Sequence, residues 1–164
     1  MQKKITYGGM TTALCVILIA ASAYMPTGKA ALLFIASFAV YILALRTDVK
    51  TSLISYVAAS AVVFMLTSFA NPLITVSFVL CFGNYPVLKK FLDSLKVSVS
   101  IIIKFIAYTL YFFAVYFAVT KAFDVVVPYG LLILYPAGVI AFAFYDFLLL
   151  NTGKYVMARF FKSF

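Results

Sequence analysis

The sequence is dominated by long runs of apolar residues separated by short polar breaks, and these runs limit its fold more than any other feature. A helix that crosses the hydrocarbon core of a membrane needs about 20 predominantly apolar residues. Six runs are close to that length, and together they leave no room for a domain outside the membrane. They cover residues 5–24, 30–45, 51–69, 73–88, 97–120 and 128–150.

The runs are apolar on all sides, as residues 13–20 illustrate, whereas a strand of a membrane barrel alternates apolar and polar residues. The composition is 66% hydrophobic and 10% charged, compared with about 25% charged in a soluble domain. We therefore predict an all-α integral membrane protein, with six transmembrane helices in one compact bundle. The second and fourth runs are short enough to be tilted or partly re-entrant, and Pro136 predicts a kink in the sixth.

The net charge of +9 comes from thirteen Lys and Arg residues against four acidic ones. If both termini lie on one side of the membrane, ten of the thirteen cations lie on that side. Lys29 and Lys121 lie on the other side, and Lys104 falls inside the fifth run. Because cytoplasmic loops carry the excess of Lys and Arg, both termini are predicted to be cytoplasmic. We therefore interpret the net charge as a sign of how the chain is oriented in the membrane, rather than as a sign of binding to nucleic acid.

The amino terminus has an alternative interpretation. Lys3 and Lys4, an apolar stretch and residues 21–23 (Ala-Ser-Ala) have the outline of a cleavable secretory signal. The apolar run is longer than the 7–15 residues typical of such a signal. We therefore favour a retained first span.

The residue types present argue against catalysis. The chain has no His and no Glu, and it lacks a phosphate loop, a nucleophile paired with a base and a cluster of metal ligands. Its cysteines, Cys15 and Cys81, lie one each in two apolar runs and are interpreted as small buried hydrophobes. We expect neither enzymatic activity nor a cofactor or metal.

Two ionisable residues lie within the predicted spans, where a charge is costly unless it is partnered. Lys104 follows Lys96 by eight residues and Asp146 precedes Lys154 by eight, so each lies about 12 Å inside the cytoplasmic boundary. We predict an ion pair between Lys104 and Asp146. A static structural pair, a Lys104 side chain that extends to the interface, and a proton or ion relay all remain open.

Polar and aromatic residues at the predicted outer ends of several helices are candidates for binding a small molecule. The alternatives are that loops are polar because they contact water and that aromatic residues form interfacial belts or fill the core. The candidate substrate-binding residues are Lys29, Asn71, Thr75, Tyr111, Tyr116, Lys121, Asp124, Tyr129 and Tyr135.

Surfaces for partners are also predicted. Gly9 and Ala13, like Ser55 and Ala59, have the four-residue spacing that lets membrane helices approach closely, either inside the protein or with a partner. Segments 87–96 and 155–162 have apolar residues at intervals of three and four, which is typical of amphipathic helices at an interface.

The chain resembles the substrate-binding S components of energy-coupling factor (ECF) transporters in its size, six spans and cytoplasmic termini. The resemblance includes the small residues of the first run and the segments 30–37, 52–59 and 144–150. It implies a bacterial plasma-membrane protein that captures a micronutrient on its outer face and works with a scaffold T subunit and two ATPases. It also implies that Gly9 and Ala13 contact the T subunit, with Gly9 replacing the usual alanine.

The expected function is therefore a solute-binding membrane subunit of an uptake transporter. Two alternatives remain open. One is a structural or assembly protein of the cell envelope without a small ligand, and the other is a small ion-coupled carrier that uses Asp146 and Lys104.

Overall fold

The computed structural model describes residues 2–93, 95, 97–122 and 131–160, which form helices and turns and include no strand. Six helical segments are long and apolar enough to cross a membrane, which confirms the predicted helical fold and the number of membrane-length helices among the described residues. The α-helices are α1 (Gln2–Tyr24), α2 (Lys29–Arg46), α3 (Val49–Thr67), α4 (Pro72–Ser77), α5 (Tyr85–Leu92), α6 (Val97–Phe117) and α7 (Leu131–Phe160). Two π-helical segments, Phe78–Phe82 and Ala118–Ala122, follow α4 and α6.

The fourth span is longer than predicted and is not a continuous α-helix. It runs over Pro72–Leu92 and combines α4, the first π-helical segment and α5. The polar pair Gly83-Asn84 lies inside this span, because helical structure resumes at Tyr85.

The last span is also longer than predicted. Helix α7 includes Pro136 and continues to Phe160, so most of the predicted carboxy-terminal amphipathic segment belongs to this helix. Residues 161 and 162 of that segment lie outside the described residues.

Local sequence explains where several helices begin. Gly28 precedes α2 with φ 77°, a left-handed conformation that glycine adopts without steric cost. Asn71 precedes α4, and its side chain accepts a hydrogen bond from the Ile74 N–H over 3.3 Å. Pro72 and Pro86 stand in the first turns of α4 and α5, where a missing N–H removes no helical hydrogen bond.

The chain divides into two units, Met1–Val126 and Val127–Phe164. The first contains α1 to α6, and α7 is the described part of the second. The core of the first unit is built mainly by α1, α2, α3 and the fourth span, which bury small and branched side chains against one another. Its buried members are Cys15, Ile19, Leu33, Ala36, Val40, Ala59, Val63, Ile74, Phe78 and Val87.

Candidate functional site

Two buried hydroxyl groups join α3 to α4 at the predicted outer end of the first unit. Thr67 and Thr75 are both fully buried, and their Oγ1 atoms lie 2.7 Å apart. Each hydroxyl is also within hydrogen-bond distance of a carbonyl one turn earlier, that of Val63 at 2.8 Å and that of Asn71 at 3.1 Å. Two hydroxyl protons can satisfy only two of these three contacts at once. The pair therefore has more than one hydrogen-bonding arrangement available.

The other predicted solute ligands are distributed over several elements. Lys29 is the half-buried first residue of α2, and Lys121 is exposed in the second π-helical segment. Tyr116 stacks on Phe112, with ring centroids 6.5 Å apart. Tyr135 lies in α7, in the second unit. Asp124 and Tyr129 lie outside the described residues.

A polar group lies where the fourth span changes from α-helix to π-helix. The Tyr56 hydroxyl on α3 donates a hydrogen bond to the carbonyl of Val79, inside the first π-helical segment. The Gly83 N–H closes that segment by donating to the Phe78 carbonyl over 2.9 Å. A Cβ atom at Gly83 would lie 2.5 Å from the Tyr56 ring, so glycine allows the ring to lie directly against the backbone.

The residue after this glycine links the fourth span to α6. Asn84 Nδ2 donates to the Tyr111 hydroxyl over 3.2 Å. Tyr111 was predicted as a solute ligand, and the structure joins it to Asn84, which was not predicted from the sequence.

Two further groups belong to this region. Cys81 lies in the π-helical segment, is half-buried and is near Tyr111. Ser60 lies one turn after Tyr56 and is buried, and its hydroxyl lies beside the Tyr56 hydroxyl. We refer to the whole set as the midspan cluster, which comprises Tyr56, Ser60, Cys81, Gly83, Asn84 and Tyr111.

At the predicted cytoplasmic end, one carboxylate joins three helical segments. Asp93 Oδ1 lies 3.1 Å from Lys104 Nζ on α6 and 3.7 Å from Lys89 Nζ on α5. Asp93 Oδ2 accepts a hydrogen bond from the Tyr41 hydroxyl of α2 over 3.3 Å. Asp146, the predicted partner of Lys104, lies in the second unit, and the Lys104–Asp146 pair stays a prediction.

Helix α5 differs from the expected interfacial helix in one of its lysines. The periodicity of segment 87–96 predicts that Lys89 and Lys90 face water or headgroups, but Lys89 is fully buried. Lys90 Nζ donates to the carbonyls of Ala44 and Thr47 at the carboxy-terminal end of α2, the latter over 2.9 Å. The last carbonyls of a helix lack partners within it and carry partial negative charge, so an ammonium group is favourable there.

The two small-residue pairs have different environments. Ser55 and Ala59 are buried, and Ser55 faces α1, where a Cβ added at Gly8 would lie 2.8 Å from the Ser55 Oγ. Gly9 and Ala13 are exposed, and no atom lies within 4 Å of a Cβ added at Gly9. Thus α1 uses Gly8 for internal packing and leaves the predicted partner face open.

No protein-family model, curated protein or solved structure matches this chain. We therefore infer the function from the geometry of the described residues.

Of the groups above, Asn71, Thr75 and Tyr111 were predicted from the sequence, whereas Tyr56, Thr67 and Asn84 were not. A Gly-Asn pair in the middle of an apolar stretch is the signal that identifies Asn84, because neither residue is favoured inside a helix. Tyr56 and Thr67 have no comparable signal, since isolated Tyr and Thr residues are frequent in apolar helices.

Proposed function

We propose that this chain is the solute-binding membrane subunit of a bacterial uptake transporter, similar to the S components of ECF transporters. In this proposal it crosses the cell membrane with both termini in the cytoplasm. It binds a small micronutrient from the outer side, and partner subunits, a T subunit and two ATPases, supply the energy of ATP hydrolysis.

The observation that carries the proposal is the open small-residue face of α1. Lipid chains adapt to any side-chain shape, whereas a neighbouring helix can approach closely only where the side chains are small. Gly9 and Ala13 are not used for packing within the described part of the chain, in contrast to Gly8 on the adjacent face. This arrangement supports close contact between α1 and a helix of another subunit.

Polar groups inside the first unit support the solute-binding part of the proposal. The Thr67–Thr75 pair and the midspan cluster place hydroxyl and amide groups within helices that are otherwise apolar. Such groups are costly in a membrane protein unless they are partnered, and they often mark the path or site of a solute.

Affinity purification from native membranes tests the partner interaction. The wild-type chain is expected to recover ATPases and a second membrane subunit, and Gly9→Leu and Ala13→Leu are expected to reduce that recovery about tenfold, as a loss of about 1.4 kcal/mol would. Ala58→Leu is the matched control, because Ala58 is exposed on α3. If no ATPase is recovered, or if all three variants recover the ATPases as well as the wild type does, the proposal is contradicted. Recovery of other envelope proteins alone would favour an assembly role.

Mass spectrometry of small molecules retained by the purified protein tests solute binding directly. One compound should be recovered reproducibly from the wild type and lost when Thr75 is replaced by Val, which removes the buried hydroxyl with little change in shape. A protein that retains no compound after mild purification, and gains none from a cell extract, would argue against a solute-binding role.

A further inference from the structure

We propose that the midspan cluster is a solute subsite for a small, uncharged molecule that carries both a hydrogen-bond donor and an acceptor. This inference rests on the proposed solute-binding function. It adds the level in the membrane at which the protein contacts the solute, and the chemical class of the solute.

The cluster lies near the middle of three spans. The middle residues are Ala58 in Val49–Thr67, Phe82 in Pro72–Leu92 and Leu110 in Val99–Lys121. Every member of the cluster lies within one helical turn of one of these residues in the sequence. The polar groups are therefore near the level at which membrane transporters commonly bind their solutes, at a break in a helix.

The hydrogen bonds within the cluster leave capacity for a ligand. The Tyr111 oxygen accepts from Asn84, so the Tyr111 hydroxyl proton remains available as a donor. Asn84 also has an amide oxygen that can accept a hydrogen bond. A bound molecule with one donor and one acceptor would complement these groups.

The charge pattern indicates that such a molecule is uncharged. No Lys, Arg, Asp or Glu occurs in the central parts of the three helical segments that carry the cluster, residues 51–67, 72–88 and 105–120. A charged solute at this depth would lose its hydration without gaining an opposite charge from these segments, which is strongly unfavourable. Hydroxyl and amide groups are sufficient for a neutral polar solute.

The two native cysteines provide the test. Cys15→Ala leaves Cys81, a member of the cluster, as the single thiol. Cys81→Ala leaves Cys15, which is fully buried and donates its S–H to the Ala36 carbonyl over 3.5 Å.

The probes are three methanethiosulfonates, with 2-hydroxyethyl, 2-sulfonatoethyl and 2-trimethylammonioethyl groups. The thiolate attacks the sulfenyl sulfur, a mixed disulfide forms and methanesulfinate leaves, so only a thiol that reaches water reacts quickly.

With the protein in phosphatidylcholine nanodiscs, the hydroxyethyl reagent is expected to modify Cys81 about tenfold faster than either charged reagent, because charge is excluded from the subsite. The same reagent is expected to modify Cys15 about tenfold more slowly than Cys81, since Cys15 is buried in the core. Tyr111→Phe, which removes one hydroxyl, should slow the modification of Cys81. Thr109→Val on the same helix should not, and it serves as the matched control.

Equal rates of Cys81 modification with all three reagents would contradict the inference that the solute is uncharged. An unreactive Cys81 in folded protein, or a Cys15 that reacts equally fast, would overturn the subsite itself. These results are independent of the ATPase recovery described above, so failure of the subsite can be distinguished from failure of the proposed partner interaction.

Discussion

Gly83 lies against the ring of Tyr56, and this contact leaves no space for a larger residue at position 83. A Cβ there would approach the ring to 2.5 Å and the Phe78 carbonyl oxygen to 3.1 Å. We expect Gly83→Ala to lower the free energy of unfolding by about 1–3 kcal/mol, because overpacking displaces the ring or the π-helical backbone. Thermal unfolding in detergent would measure the change.

Two controls make the Gly83 prediction specific. Gly9→Ala should have little effect, because no atom lies within 4 Å of the added Cβ. In a double-mutant cycle, Gly83→Ala should cost much less when Tyr56 is already Leu. Independent effects of the two substitutions would show that the Tyr56 ring does not require the glycine.

Asp48, between α2 and α3, has a pKa below its ordinary value. The main cause is the Thr51 hydroxyl, which donates to Asp48 Oδ1 over 2.6 Å, and the charge of Lys4 at 3.5 Å acts in the same direction. Because the pKa of Asp48 is lower in the folded protein than in the unfolded chain, its ionised form stabilises the fold above the unfolded pKa of about 3.9. This stabilisation is lost as the pH falls through the pKa of the folded protein.

Replacing Thr51 with Val should therefore raise the pKa of Asp48 towards its ordinary value, and Lys4→Gln should raise it less. Carbon-13 NMR of labelled aspartate measures this directly, and the chain has only four acidic residues to assign. A titration of Asp48 that is unchanged in the Thr51 variant would contradict the assigned cause.

At the scale of the helical elements, Lys90 attaches α5 to the end of α2 through the carbonyls of Ala44 and Thr47. We expect Lys90→Met to destabilise the protein by about 1.5–3 kcal/mol, the range for hydrogen bonds that involve a charged group. Faster amide hydrogen exchange should follow in the last turn of α2. Lys50→Met is the control, because Lys50 is exposed. Equal exchange in both variants would show that Lys90 does not stabilise the end of α2.

The fourth span shows how an element can differ from its sequence pattern. The periodicity of 87–96 indicated a helix with its lysines directed to solvent, and a helix does form over Tyr85–Leu92. Lys89 is nevertheless buried, with Asp93 as an ion-pair partner. Asp93 lies one turn later in the same segment, so this ion pair is local, whereas the burial of Lys89 depends on the packing of α5 against α2 and α3. Periodicity within one segment contains no information about those neighbouring helices.

At the scale of the whole molecule, the ion pair predicted between Lys104 and Asp146 joins residues of different units. Each single charge reversal should reduce expression, and the exchange of Lys104→Asp with Asp146→Lys should restore it. Because Lys104 also contacts Asp93 at 3.1 Å, Asp93→Asn is needed as a comparison. If the exchange fails while Asp93→Asn alone reduces expression, Asp93 is the main partner of Lys104.

The orientation of the molecule is predicted from its cations. Reporter fusions at both ends should show cytoplasmic termini, because ten of the thirteen Lys and Arg residues then lie on the cytoplasmic side. A cysteine introduced at Gly28, on the predicted outer side, should react with an impermeant reagent added outside intact cells. Labelling of Gly28→Cys only after lysis would reverse the proposed topology.

The sequence by itself determined that lipid is the solvent of the helices, that the fold is all-α and approximately where the six spans lie. Long apolar runs have no stable alternative to helices in lipid, since every backbone polar group must be satisfied within its own segment. It also identified Asn71, Thr75 and Tyr111 as polar groups of interest. These conclusions depend on composition and length, which require no knowledge of neighbouring segments.

Only the tertiary structure decided which of these groups meet. The contact of Tyr56 with Gly83, the hydrogen bond from Asn84 to Tyr111 and the attachment of α5 to α2 join residues far apart in sequence. It also decided that Gly8 faces the interior and Gly9 does not. In helices that are apolar on all sides, hydrophobicity does not indicate which face is buried, so close packing and polar pairing between helices decide it.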